Sequence, residues 1–330
     1  MAGLRWRSAH HAVGWRSRPH GAALAREAAL RRTSAREVRT HDGRLLTVDV
    51  TGAGHGVPVF LLHGTPGSRN GPKPRGAVLY RLGVQLISYD RPGYGGSTPK
   101  QGRTVAEAAR DVEAIANELG IGRFAVVGRS GGGPHALACA RLLPKRVVRT
   151  AVLVSVAQVD AAGLDWFAGM APSNIDDYRT AMEDQTKLIQ RLRVRAHRTN
   201  RDPESMLALL IPQMSGPDRR VVGDIGIRRL ILATYAEALR HGPDGWIDDV
   251  LALRGDWGFD LRGITGPVLL WHGEDDTFAP VSHTHWLADQ IAGSEVRVQS
   301  GAAHFGAVEI LPQILPWLTT WGEEGQRESA

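Results

Sequence analysis

The sequence predicts an α/β protein: a mostly parallel sheet flanked by helices, with a block of helices inserted between two of its strands. Three observations carry this. From about residue 38 to 159, and again from 264 to 322, short apolar runs alternate with helical patterns, the signature of parallel strands joined by helical crossovers. The apolar runs are near-continuous rather than alternating, as strands covered on both faces require. Between residues 160 and 263 strand signals fade and helical ones dominate.

The elements follow in order. Residues 36–40 and 45–50 flank His41-Asp42-Gly43-Arg44, a hairpin signal, with Leu46, Val48 and Val50 on one face of the second strand. Residues 58–62 read as a buried strand ending in His63-Gly64-Thr65-Pro66-Gly67, and residues 84–89 as the next, ending in Asp90-Arg91-Pro92-Gly93-Tyr94-Gly95-Gly96-Ser97. A helix carrying Ala108, Val112, Ile115 and Leu119 follows, with Thr104 and Glu107 spaced as a capping box. Residues 124–127 form a strand, 135–143 a helix and 149–156 another strand. In the helical block, Ser173/Asn174 suit one cap, Asp202-Pro203-Glu204 opens a second helix, and residues 228–240 form a third. A block so placed on the loop side of a sheet is a candidate lid over residues 160–263. Strand 267–271, helix 283–291, strand 295–299 and helix 307–317 complete the body.

Composition narrows the function classes. At 330 residues the chain can bury a large core, and 42% apolar content is ordinary for a globular protein. No apolar run is long enough to span a membrane. The net charge of +6 resides in the first 40 residues, where nine arginines face Glu27 and Glu37. The remaining body is close to neutral, which argues against a nucleic-acid partner. Residues 1–36 read as a disordered basic tail and 323–330 as a short C-terminal one. The single cysteine, Cys139, lies in an apolar helix and suits a packed thiol in a reducing, cytoplasmic setting.

The chemistry centres on Gly128-Arg129-Ser130-Gly131-Gly132 between a strand and a helix. A turn this sharp forces the serine into an unfavourable backbone conformation and needs glycines where strand and helix approach. It holds a hydroxyl at an exposed tip beside helix N-terminal amides. A serine hydroxyl needs a base, and the base needs an acid to orient it. Glu274-Asp275-Asp276 follows one strand and His304 follows the last, so both lie at strand C-terminal ends, where such sheets gather their reactive groups. His283-x-His285 is a weak metal signal, because positions two apart on a helix face different sides.

Taken together, these motifs resemble the α/β-hydrolase superfamily, of the serine-nucleophile, lid-bearing, bacterial esterase-like kind, over roughly residues 38–322. His63 to Gly67 resembles its oxyanion loop, Asp90 to Ser97 its Asp-x-x-Gly-x-Gly-x-Ser segment, and Glu274 to Pro280 its acid turn. The resemblance implies a catalytic set of Ser130, Asp276 and His304, with the Thr65 and Gly131 amides as the oxyanion hole. Each such donor is typically worth ~3 kcal/mol in acyl transfer. His63 and Asp275 are expected to be structural and solvated respectively, and Arg191, Arg193, Arg195, Arg198 and Arg201 to form a solvated helix face. Of the lid segment's Trp166, Phe167, Met170, Met206, Leu207, Met214, Trp246, Trp257 and Phe259, some are expected to be lid core and others to present an apolar wall over the serine.

The expected activity is hydrolysis of a small or medium uncharged ester, lactone or amide, without cofactor, metal, nucleic-acid or membrane partner. Cleavage of an activated carbon–carbon bond or perhydrolysis would use the same groups. The alternatives are a proline iminopeptidase-like aminopeptidase and a ligand-binding protein that keeps the fold without turnover. Gly131 stands where those peptidases carry tryptophan, and Thr65 where they carry glycine.

Overall fold

A computed structural model of the protein describes residues 35–321. Residues 1–34 of the expected tail and the terminal segment 323–330 lie outside the described residues, and Arg36, the last residue counted into that tail, opens the first strand. Among the described residues eight strands form one sheet: β1 Arg36–Arg39, β2 Leu45–Gly52, β3 Val57–Leu62, β4 Val84–Tyr89, β5 Phe124–Arg129, β6 Val147–Leu153, β7 Val268–Gly273 and β8 Glu295–Gln299. Their order is β1-β2-β4-β3-β5-β6-β7-β8. The β1–β2 hairpin joins β4 antiparallel, and all other neighbours are parallel. From β3 the chain winds first to β4 on one side and then to β5 on the other. A crevice therefore opens at the C-terminal ends of β3 and β5.

Alternate residues of the central strands supply two cores. Phe60, Leu62, Ile87, Val126 and Val152 meet Val112, Ile115 and Leu137 of the helices Glu107–Glu118 and Gly132–Leu142. Val59, Leu61, Leu86, Val127 and Ala151 meet Leu311, Ile314 and Leu315 of helix Gly306–Thr319. Each such large side chain contributes roughly 1.5–3 kcal/mol by leaving water. Strand β8 departs from the expected double cover: it is the sheet edge, all five residues are exposed, and Glu295 and Arg297 discourage pairing with another chain.

Between β6 and β7 lie six α-helices, Pro172–Glu183, Gln185–Arg201, Glu204–Leu210, Gly216–Gly223, Ile225–Ala238 and Asp244–Arg254, of which the sequence distinguishes three. Two expected caps do not form. Helix Glu107–Glu118 starts behind Ala106 because Glu107 is drawn into an ion pair with Lys100, leaving Thr104 exposed. Pro172 starts its helix one residue before Ser173, and Asn174 Nδ2 donates to the Phe278 carbonyl at 2.9 Å instead.

Two buried charge clusters fasten these helices to the sheet. Asp249 of helix Asp244–Arg254 receives Arg91 Nη2 at 2.5 Å, the Arg103 guanidinium, Tyr94 Oη at 2.8 Å and Thr65 Oγ1 at 2.6 Å. Burial pushes its carboxyl up, but Arg91 and Arg103 outweigh this and hold it well below the ordinary range. Glu237 of helix Ile225–Ala238 receives Arg69 Nη1 at 2.7 Å, and Arg69 also pairs with Asp90. Asp90 and Arg91 thus make the segment after β4 the hinge plate of both clusters.

Candidate active site

Strand β5 ends at Arg129 and helix Gly132–Leu142 begins three residues later, which leaves Ser130 with φ at +53°. A Cβ on Gly128 would lie 2.2 Å from the Gly132 carbonyl oxygen, and one on Gly132 would lie 2.3 Å from that of Leu62. Only glycine fits either place. Neighbours hold the strained corner: Ser130 N donates to the Leu153 carbonyl at 2.8 Å, and Ser155 Oγ to the Ser130 carbonyl at 3.2 Å. Val154 between them has φ at +49°, a second departure at the end of β6 that the sequence does not announce.

Ser130, His304 and Asp276 form one hydrogen-bonded line. Ser130 Oγ lies 3.0 Å from His304 Nε2, and His304 Nδ1 lies 2.8 Å from Asp276 Oδ2. A carboxylate only accepts, so the ring proton sits on Nδ1 and Nε2 is the acceptor for the serine proton. Asp276 is itself fixed: Oδ1 accepts the amides of Phe278 at 2.7 Å and Ala279 at 3.0 Å, and Oδ2 lies 3.2 Å from His272 Nε2. His272 Nε2 also meets the Ala279 carbonyl at 2.6 Å and so carries the proton, while the Thr284 hydroxyl donates to Nδ1 at 2.6 Å. Burial pushes the Asp276 carboxyl up, but His304 and His272 more than offset it and hold the group far below the ordinary range. Glu274 and Asp275 are exposed and neither bonds the imidazole, Glu274 accepting the Ser300 hydroxyl instead.

The loop after β3 brings Thr65 against Gly131. A Cβ on Gly131 would meet Thr65 Oγ1 at 2.3 Å. Among the described residues neither the Thr65 nor the Gly131 amide donates to a protein acceptor, and both flank the serine. His63 braces this loop, with Nδ1 donating to the Gly64 carbonyl at 2.8 Å and Nε2 accepting the Arg91 amide at 3.2 Å. His283 is likewise structural, accepting Ala157 N at 3.0 Å and donating to the Trp166 carbonyl at 3.0 Å, while His285 is exposed.

Two chambers meet at Ser130 and His304. The larger, of about 780 Å³ and open to solvent, takes most of its lining from the inserted helices, including Tyr178, Met206, Leu209, Leu210, Trp246 and Val250. The smaller, about 560 Å³, lies against the loop after β3 and includes Arg129, Ile231 and Val308. Tyr235 and Phe305 face both.

Of the nine apolar residues expected to divide between lid core and wall, only Met206 and Trp246 line either chamber. Trp166 packs instead inside the inserted helices, under the Arg254 guanidinium and edge-on to Tyr178 and His283. The arginine stripe is not uniformly solvated either. Arg193, Arg198 and Arg201 are exposed, but Arg191 and Arg195 pair with Asp177 at 3.3 and 2.5 Å, and Arg195 lines the larger chamber.

Asp218 was not singled out by the sequence. It is buried on helix Gly216–Gly223, and its Oδ1 accepts the Phe305 amide at 2.7 Å, tying the histidine loop to the inserted helices. Burial raises its carboxyl to about 6, partly countered by His304. Its only trace in the chain is an acid among the buried positions of an otherwise ordinary amphipathic helix.

Known proteins show the same relationship. A family model described as alpha/beta hydrolase fold matches residues 57–309. An uncharacterised hydrolase, YcgS, of Bacillus subtilis is 27% identical over 267 residues, covering 78% of this chain and 87% of its own. A 2-hydroxymuconate semialdehyde hydrolase of Pseudomonas putida is 26% identical over 264 residues, covering 78% of this chain and 83% of its own. A thermophilic esterase from Thermogutta terrifontis superposes with a TM-score of 0.62 at 23% identity, over 88% of this chain and 98% of that one, a likeness of fold.

Proposed function

Since this chain belongs to the alpha/beta hydrolase fold family and is a hydrolase, we propose that it cleaves a small or medium ester, lactone or amide through an acyl-enzyme on Ser130. The observation that carries this reading is the line Ser130 Oγ, His304, Asp276 at 3.0 and 2.8 Å, set on a strained corner at the meeting of two chambers. His304 Nε2 takes the hydroxyl proton as Oγ attacks the carbonyl carbon. Asp276 holds the ring and stabilises the imidazolium. The oxyanion forms between the Thr65 and Gly131 amides. His304 then protonates the departing oxygen or nitrogen, and a water activated by the same nitrogen releases the acid.

The inserted helices act as a lid that shapes the larger chamber, where apolar side chains favour an uncharged portion of the substrate. Met206→Ala opens that wall without touching Ser130. In a series of p-nitrophenyl esters it should move the preferred acyl group to longer chains, with a several-fold change in the kcat/KM ratio of long to short esters. An unchanged ratio contradicts the chamber assignment. Absence of turnover by the wild type across esters, lactones and amides favours the ligand-binding alternative.

The pH profile follows from the charges around His304. Burial disfavours its imidazolium, but Asp276 and then Asp218 outweigh this and the opposing Arg129, raising the pKa above the ordinary 6.5. The neutral ring is the active form, so kcat/KM should fall as pH drops through that raised value. Asp218→Asn removes one negative charge that favours the imidazolium, so it should displace this limb to lower pH. A limb that stays in place contradicts the electrostatic role of Asp218.

A further inference from the structure

Arg129 is the residue immediately before the serine, and its side chain lines the smaller chamber together with Ser130, Tyr235 and His304. It is half-buried, and its one protein hydrogen bond among the described residues runs from Nη1 to the Pro72 carbonyl at 3.0 Å. No carboxylate among the described residues pairs with it. Most of the guanidiniums that reach deepest into the protein have carboxylate partners. Arg69 has Asp90 and Glu237, Arg91 and Arg103 share Asp249, and Arg195 has Asp177. Arg254, which also lacks a carboxylate, lies 4.3 Å over the Trp166 ring. Burial brings the Arg129 pKa down to about 10, which leaves it charged at neutral pH. Beside it, burial pushes the Tyr235 phenol up, so that hydroxyl remains a protonated donor.

An interior charge without a counter-ion is unfavourable unless something that binds there supplies one. We propose that Arg129 binds a carboxylate of the substrate, so that the part of the ester, lactone or amide held in the smaller chamber is anionic. The inference rests on the hydrolase reading of Ser130 and departs from the wholly uncharged substrate expected of the sequence: uncharged in the larger chamber, carboxylate-bearing in the smaller. A planar guanidinium fork with Nη1 already fixed still offers donors in the geometry a carboxylate accepts. Because Arg129 and Ser130 are consecutive, the carboxylate lies a short chain away from the scissile carbonyl, as in a half-ester of a small dicarboxylic acid. A bound carboxylate would also cancel the charge of Arg129 that opposes the His304 imidazolium.

Two ester pairs read this out. Monophenyl glutarate against phenyl valerate puts the charge on the acyl side, and 3-carboxyphenyl acetate against 3-carbamoylphenyl acetate puts it on the leaving group. The wild type should favour the anionic member of at least one pair by about tenfold or more in kcat/KM. Arg129→Met should abolish that preference through a higher KM for the anion, and Arg129→Lys should retain part of it. Neutral esters favoured in both pairs, or an unchanged preference in Arg129→Met, overturns the proposal. A measurement on the unmodified protein guards against misfolding of the variant. Glutarate should slow fluorophosphonate labelling of Ser130 and glutaramide should not, and equal effects of the two overturn the proposal. If Ser130 takes no label at all, it is the hydrolase reading that fails, so the two failures are distinct.

Discussion

Ser130→Ala and His304→Ala should each lower turnover by up to ~10⁶-fold, and Asp276→Asn by a factor on the order of 10⁴. The asymmetry follows from what each change removes. Without Ser130 Oγ or His304 Nε2, the 3.0 Å contact that transfers the proton is gone. Asparagine at 276 leaves the space filled but replaces the carboxylate that fixes the His304 proton on Nδ1 at 2.8 Å. Asp275→Asn should stay within about a few-fold of wild type, since an exposed turn carboxylate next to the site adds little field in water. The losses should not add: Ser130→Ala with Asp276→Asn should be no slower than Ser130→Ala alone, because the three groups act on one proton. Steady-state rates of the four single variants and the double variant check all of these together.

Asp249→Ala should destabilise the protein by roughly 3–5 kcal/mol, the typical consequence of leaving buried charges without their partner. Arg91 and Arg103 would both lose their shared carboxylate, and Tyr94 and Thr65 an acceptor each. Since Thr65 belongs to the loop beside Ser130, activity should fall even at temperatures where the variant is folded. Glu204→Gln, which breaks the partly exposed pair with Arg228, should cost less than about 1 kcal/mol. Denaturant midpoints of the two variants decide the matter, and similar small shifts would contradict the clamp role of Asp249. The pH sign is fixed by the direction of the shift. The Asp249 carboxyl is held below its unfolded value, so its stabilisation is present above the unfolded value of 3.8 and lost as pH falls through the depressed one.

The two predictions draw on residues that differ in how visible they are in the chain. Ser130 and His304 are legible because local rules fix them, a glycine-flanked corner and a histidine just past the last strand, each at a strand end that the sheet brings to one edge. Those rules leave three consecutive carboxylates, and it is the family resemblance that selects Asp276 among them. The sheet itself is legible from local rules, each strand being a continuous apolar run with its own turn. Asp249 and Asp218 are not. They are acids on inserted helices whose partners, Arg91, Arg103 and the Phe305 amide, come from segments far away in sequence, and nothing in local periodicity pairs them. Arg129 sits in full view inside the corner motif, yet its lack of a counter-ion can be read only once its surroundings are assembled. The expected caps at Thr104 and Ser173 failed where a salt bridge and a proline competed with the local signal. The sequence does not divide the nine apolar lid residues between core and wall, because hydrophobicity marks burial without saying whether the buried face meets a chamber or another helix.

Active-site titration with a fluorophosphonate, read by intact mass and peptide mapping, tests the central claim most directly. The account predicts one label per chain, located on Ser130, absent in Ser130→Ala, strongly slowed in His304→Ala and Asp276→Asn, and unaffected in Asp275→Asn. An unlabelled wild-type protein that is otherwise folded, or a label carried on another residue, would contradict it.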